Sequence, residues 1–273
     1  MPEDKRLERL KTILHDLGSI LVAYSGGVDS SLLAKAAHDV LGDRMLAVTA
    51  TSPTCPAFER KEAEEFCTKY GIPHRVVETQ ELSIENFRTN PPERCYHCKK
   101  ERFQRLKEMA ESLGLAHVVD GSNVDDLGDF RPGMKATEEL GIRSPLLEAG
   151  LRKQDVRELS RALGLPTWDR PAYACLATRI PYGTPLTPDV LHKVEQAEDA
   201  LRRHGFRQFR VRHHGSIARI ELPCRDFDRF MDPAVREDIV ARLKEIGYTY
   251  VTLDLQGYRT GSMNEPLTEG KTK

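Results

Sequence analysis

Short apolar runs, each followed by a stretch of helical periodicity, recur through the first 170 residues, and this alternation narrows the fold more than any other feature. "SILVAY" (19–24), "MLAVTATS" (45–52), "PHRVVET" (73–79) and "AHVVDGS" (116–122) read as buried strands. "SSLLAKAAHDVLG", "AFERKEAEEFCTKYG", "KKERFQRLKEMAESLG" and "RKQDVRELSRALGLP" read as helices, stopped by Gly42, Gly71, Gly114 and Gly164. An amphipathic helix carrying Leu7, Leu10, Leu14 and Leu17 precedes them. Strands alternating with helices of this length predict an α/β fold, a parallel sheet covered on both faces. In such sheets ligands bind beyond the carboxyl ends of the strands.

After residue 170 the pattern changes. "DRPAYACLATRIPYGTPLTP" holds four prolines and reads as an irregular connection. A helix, two adjacent strands, a helix and a strand follow, a second and smaller α/β unit. The expected division is 1–170, a connecting segment 171–188 carrying Cys175, and 189–273 as a substrate or oligomerisation domain. At 39% hydrophobic and 30% charged residues, the chain can bury a core and stay soluble. Its net charge of -1 creates no global attraction to nucleic acid or membrane. No apolar run approaches the roughly 20 residues of a bilayer span. The first residues are charged at once, unlike a signal peptide. A cytoplasmic protein with reduced cysteines is the expectation.

The "SGGVDSS" turn lies between the first strand and its helix. A Walker A loop is excluded, because the GK-T at 270–272 has Glu265 where the first glycine is required, and no G-x-G-x-x-G occurs. Glycines let the backbone approach an anion closely. Successive N–H groups, the hydroxyls of Ser25, Ser30 and Ser31 and the positive end of the helix then form a cradle for negative oxygens. Without a lysine to reach a γ-phosphate, such a site suits a pyrophosphate that leaves whole. A plain strand-to-helix turn capped by Asp29 and Ser30 is the simpler alternative.

"SGGVDS" resembles the PP-loop of the ATP pyrophosphatases, which cleave ATP to AMP and pyrophosphate. The resemblance implies a pyrophosphate site at Ser25, Gly26, Gly27, Asp29, Ser30 and Ser31. "DGSNVDD" (120–126) resembles the second acidic loop of that superfamily, making Asp125 and Asp126 candidate carriers of Mg²⁺, or members of a capped surface loop. "DGSNVDDLGDFRPGMKATEELGIRSPL", "RIPYGTPLT", "FRVRHHGSIARIELP" and "GYTYVTLDLQGYRTGSMNEPL" narrow the resemblance to the LarE family, over nearly the whole chain. These are sulfurtransferases that use ATP to convert pyridinium-3,5-biscarboxylic acid mononucleotide to its thiocarboxylate in nickel-pincer nucleotide synthesis, for lactate racemase. The resemblance also implies a homo-oligomer, a hexamer, acting on a small mononucleotide rather than nucleic acid or membrane.

Cys95 and Cys98 form a C-x-x-C expected just before a helix, and Cys175 lies on the connection. Helix N-termini and Lys99, Lys100 and Arg179 would favour thiolates. Three readings stay open. The trio could hold a 4Fe–4S cluster with one iron open to sulfide. Cys175 could be a sacrificial sulfur donor, as in family members that lack the C-x-x-C pair. The pair could also be half of a zinc site. The sequence does not identify the sulfur source. Cys67 reads as a core residue, and Cys55 and Cys224 show no partner pattern and are taken as structural.

Residues 200–220 contain six arginines, three histidines and no acid. Alternation in "FRVRH" sends Phe209 and Val211 one way and Arg210 and Arg212 the other, roughly 7 Å apart. Two guanidinium forks at that spacing suit one phosphate, and the family resemblance maps substrate phosphate binding onto Arg179, Arg210 and Arg212. A solvated face and an RNA-contact surface are the alternatives, the latter weakened by the lack of interleaved aromatics. His213, His214 and Trp168 are given no catalytic role.

Overall fold

The computed structural model describes residues 4–128, 132–171 and 174–265. The chain divides into two compact units, Met1–Phe87 with Pro92–Tyr173, and Arg88–Pro91 with Ala174–Lys273.

In the first unit, β1 (Ile20–Ala23), β2 (Met45–Thr51), β3 (His74–Glu78) and β4 (His117–Val119) form an all-parallel sheet in the order β3-β2-β1-β4. Both faces are covered, as continuous apolar strands require. Leu21, Val48 and Val118 pack with Phe103, Leu106 and Ala110 of the Arg94–Ser112 helix. Ile20, Val22, Ala47 and Val119 pack on the other side with the Lys5–Leu17 and Val28–Leu41 helices. Leu10 and Leu14 of the first helix are fully buried, each worth roughly 1.5–3 kcal/mol. The chain steps outward from β1 to β2 and β3, then returns to the other side of β1 for β4. That reversal makes the carboxyl end of β1 a topological switch point. The glycine turn follows β1 and the 120–126 loop follows β4.

In the second unit, β5 (Arg210–His214) and β6 (Ile217–Glu221) form an antiparallel pair, and β7 (Tyr250–Leu253) joins β6 in parallel after the Pro233–Glu245 helix. Phe206, Phe209, Val211, Ile220, Phe230 and Leu243 form its core. Residues 174–188 belong to this unit rather than standing apart, and Leu176–Arg179 is a 3₁₀ turn. The unit also incorporates Arg88–Pro91 from the first half of the chain. Buried Asn90, at φ +57°, donates from Nδ2 to the carbonyls of Ile180, Pro181 and Thr184 at 3.3, 2.8 and 3.1 Å. Its own carbonyl accepts from Gly183 N, and that of Arg88 accepts from Leu186 N. Asparagine tolerates this left-handed conformation better than other side-chain-bearing residues. No helix among the described residues is long and apolar enough to cross a membrane.

Candidate phosphate turn, thiols and arginine cluster

The turn is built where β1 gives way to the Val28–Leu41 helix. Tyr24 continues the ladder by donating to Val48 O at 2.9 Å, and its buried hydroxyl lies 3.4 Å from Ser31 Oγ. Gly26 adopts φ +73°. A Cβ there would meet the Ala63 side chain at 3.4 Å, in contact, and the positive φ would strain any residue other than glycine. Gly27 occupies the N-cap with no side-chain cap, leaving the first turn of the helix without a side-chain acceptor at its positive end. The serines brace the turn: Ser25 N donates to Ser30 Oγ at 3.3 Å, the two hydroxyls are 3.1 Å apart, and Ser30 Oγ donates to Gly27 O.

The acidic loop packs on this helix start. A Cβ on Gly121 would come within 3.1 Å of Ser30 N and 3.3 Å of Asp29 Cβ, so a side chain here would press on the helix start. Asn123 Nδ2 donates to Asp29 Oδ1 at 3.1 Å, and Lys153 Nζ pairs with Asp29 Oδ2. Asp126 accepts from Asn123 N at 2.9 Å, and Asp125 accepts from Lys153 N at 2.8 Å. Asp126 is buried, whereas the Asp125 side chain is 47% exposed. Asp120 accepts from both Ser122 and Ser144 hydroxyls at 2.7 Å. Arg170 donates to Gly26 O at 2.7 Å and pairs with Glu62, while Arg157 holds the carbonyls of Trp168 and Arg170. The structure thus adds Gly121, Asn123, Lys153 and Arg170 to the turn. Isolated basic residues such as Lys153 and Arg170 carry no sequence signal for such a role, whereas Gly121 and Asn123 lie in the DGSNVDD motif.

The C-x-x-C pair sits inside the Arg94–Ser112 helix, which starts five residues earlier than its sequence pattern predicts. Cys95 is exposed and Cys98 half-buried. Cys98 Sγ approaches Glu81 Oε1 at 3.6 Å. Lys99 and Lys100 turn elsewhere, to Asp120 and to Tyr96 with Glu139. Arg102, one helical turn after Cys98, reaches this neighbourhood and pairs with Glu81. Buried Cys67 has its thiol pushed up to about 12 by burial, consistent with a core role. Among the described residues, no group of three or more His, Cys, Asp or Glu side chains is arranged to hold a metal ion.

In the second unit, half-buried Cys175 precedes the 3₁₀ turn, and its carbonyl accepts from Thr178 and Arg179. Arg179 is 1% exposed and makes a bidentate pair with Glu198 at 2.8 and 3.0 Å. Burial pushes the Glu198 carboxyl up, but adjacent Arg179 outweighs it and holds the group below its ordinary value. Arg212 donates to Thr178 O, Glu221 and Ser262, and its Nε is buried with no hydrogen-bond partner among the described residues. Arg210 donates to Phe209 O at 2.6 Å and lies over the Tyr258 ring. Burial, then the charges of Arg179 and Arg212, lower its guanidinium below the ordinary value. Arg210 and Arg212 are buried, which removes the solvated-face alternative for them.

A backbone-and-hydroxyl turn at the switch point of a parallel sheet, with the acidic loop closing on it, places this chain among the PP-loop nucleotide-binding proteins. No family model matches the chain. It is 44% identical over 266 residues to an uncharacterized protein of Synechocystis sp., covering 97% of this chain and 99% of the relative. It is 42% identical over 266 residues to pyridinium-3,5-bisthiocarboxylic acid mononucleotide synthase of Lactiplantibacillus plantarum, covering 96% of this chain and 95% of that enzyme. A tRNA-specific 2-thiouridylase of Azorhizobium caulinodans is 33% identical over 189 residues, covering 56% of this chain and 48% of the relative. The chain belongs to the LarE family of mononucleotide sulfurtransferases.

Proposed function

We propose that this protein uses ATP to adenylate the carboxylates of pyridinium-3,5-biscarboxylic acid mononucleotide and replaces them with thiocarboxylates, a step toward the nickel-pincer nucleotide. The observation that carries this reading is the end-to-end match to a thiocarboxylate-forming relative. A substrate carboxylate oxygen attacks the α-phosphorus of ATP, and pyrophosphate leaves toward the 25–31 turn. A carboxylate is a poor acyl donor, whereas AMP is a competent leaving group. A sulfur nucleophile then attacks the acyl carbon, and AMP departs with the former carboxylate oxygen. Holding both reactants in contact supplies most of the rate.

Within this reading, Ser25, Gly26, Gly27, Asp29, Ser30 and Ser31 receive the phosphates, with Lys153 and Arg170 exchanging their carboxylate partners for phosphate oxygens. The exposed carboxylate of Asp125 suits a hydrated Mg²⁺, while Asp126 braces the loop. Arg179, Arg210 and Arg212 are the substrate-phosphate residues, a role supported at Arg212 by its buried Nε, which has no hydrogen-bond partner among the described residues. Cys95, Cys98 and Cys175 are the thiols proposed to handle sulfur. A three-cysteine 4Fe–4S cluster would supply an iron-bound sulfide, but the described residues gather no such ligand group.

Incubation with ATP and the mononucleotide tests the reaction. The reading predicts AMP, pyrophosphate and a product with sulfur in place of oxygen, whereas ADP would exclude it. Anaerobic purification with iron and zinc assays separates the three cysteine readings. A hexamer is the expected assembly, read by light scattering. Tight, steeply salt-dependent tRNA binding would instead favour the 2-thiouridylase relationship.

A further inference from the structure

The polar face of β5 and β6 carries a further arginine, Arg219. Strand pairing sets it directly opposite Arg212, so the two side chains leave the same face with Cβ atoms roughly 4.5–5.5 Å apart. They straddle one buried carboxylate. Arg212 Nη2 donates to Glu221 Oε2 at 2.7 Å, and Arg219 Nη2 donates to Oε1 at 3.1 Å. Ser262 Oγ donates to the same Oε1 at 2.9 Å. Arg219 Nη1 lies 3.4 Å from Asp254, which Arg259 approaches from 3.7 Å. The terminal nitrogens of both facing arginines are therefore engaged. Their Nε atoms are not: each is buried, and neither has a hydrogen-bond partner among the described residues.

A buried donor left unmet costs roughly 1–3 kcal/mol, more when it carries charge. Two such N–H groups on facing residues point to an acceptor that meets both. A phosphate monoester presents several charged oxygens on one atom, and guanidinium N–H groups bind such oxygens in pairs. The Arg212 side chain is 5% exposed and that of Arg219 is 31% exposed, so Arg219 forms the side from which a ligand arrives. We propose that Arg219 is a further residue of the substrate-phosphate site, its Nε–H and that of Arg212 donating to two oxygens of the same phosphate. Glu221 and Asp254 hold the outer nitrogens of Arg219 and so aim its Nε. The identity of the substrate rests on the function proposed above, but the joint binding of a phosphate monoester by these two arginines does not.

The test is calorimetric binding to the full chain, without ATP, of pyridinium-3,5-biscarboxylic acid mononucleotide and of its riboside, which keeps both carboxylates and lacks the phosphate. Wild-type protein should prefer the mononucleotide by about a hundredfold. Arg219→Gln should lower that preference about tenfold and leave riboside affinity unchanged. The variant should fold, because Glu221 keeps Arg212 and Ser262, and Asp254 keeps Arg259. Arg219→Lys, which keeps the charge but lacks the Nε donor, should recover only part of the preference. Arg259→Gln, which removes a neighbouring charge and neither Nε, should change it less than Arg219→Gln does. Equal losses for mononucleotide and riboside, an undiminished preference in Arg219→Gln, or a wild type indifferent to the phosphate would each overturn the proposal. With ATP absent, none of these outcomes depends on AMP formation, so failure here and failure of the AMP and pyrophosphate assay are read separately.

Discussion

The two candidate anion sites differ in what supplies their positive character. The 25–31 turn relies on backbone amides, a helix end and hydroxyls, with glycines at 26 and 27. The second unit relies on Arg179, Arg210 and Arg212, all buried, with Arg179 and Arg212 already paired to Glu198 and Glu221. A backbone site can be damaged without unfolding its unit. An arginine site whose carboxylate partners lie in the core cannot, because removing a partner strands a buried charge. Recognition and stability are therefore separable in the first unit and entangled in the second.

The largest expected effect is on Glu198. Glu198→Gln should cost about 3–5 kcal/mol of second-unit stability in denaturant unfolding, because Arg179 loses its buried counter-charge. A loss below about 1 kcal/mol would break the contrast. Next is Asn90→Ala, which removes three side-chain hydrogen bonds and leaves alanine at φ +57°. About 2–4 kcal/mol is expected, and Asn90→Gly should recover the backbone part of roughly 1–2 kcal/mol.

These two substitutions also mark what the sequence conceals. The alternation of strands and helices, the covered parallel sheet and the glycine turn are local patterns, and each is found near its predicted place. The docking of Arg88–Pro91 is different, since it depends on bonds spanning about ninety residues from an asparagine beside two prolines. The period of β5 separates Phe209 and Val211 from Arg210 and Arg212, but a period of two cannot say whether the polar face meets solvent or buried carboxylates. The contact between Arg102 and Cys55 is concealed too, because the two residues lie 47 apart in the chain. The spacing of Cys98 and Arg102 was readable once the helix start was known.

A smaller effect should separate binding from stability in the first unit. Gly121→Ala forces a methyl to within 3.1 Å of Ser30 N. It should lower AMP formation at limiting ATP about tenfold while costing only about 1–3 kcal/mol in unfolding. Unchanged ATP dependence would detach the acidic loop from the phosphate turn. The smallest effect is in pH. Glu198 has a folded value below its ordinary 4.5, so its pairing stabilises above that value and the benefit is lost as pH falls through the folded value. Acid unfolding of the second unit should steepen below about pH 4.5, and Glu198→Gln should flatten that part of the slope. An unaltered slope would assign the acid transition to other groups.

The central claim is that an oxygen of the substrate carboxylate passes through an AMP ester. Mononucleotide labelled with oxygen-18 in its carboxylates, incubated with ATP and a sulfur source, tests it most directly. The account predicts one labelled oxygen in AMP for each sulfur installed, with unlabelled pyrophosphate. Unlabelled AMP alongside sulfur-containing product, or label appearing in phosphate with ADP, would contradict it.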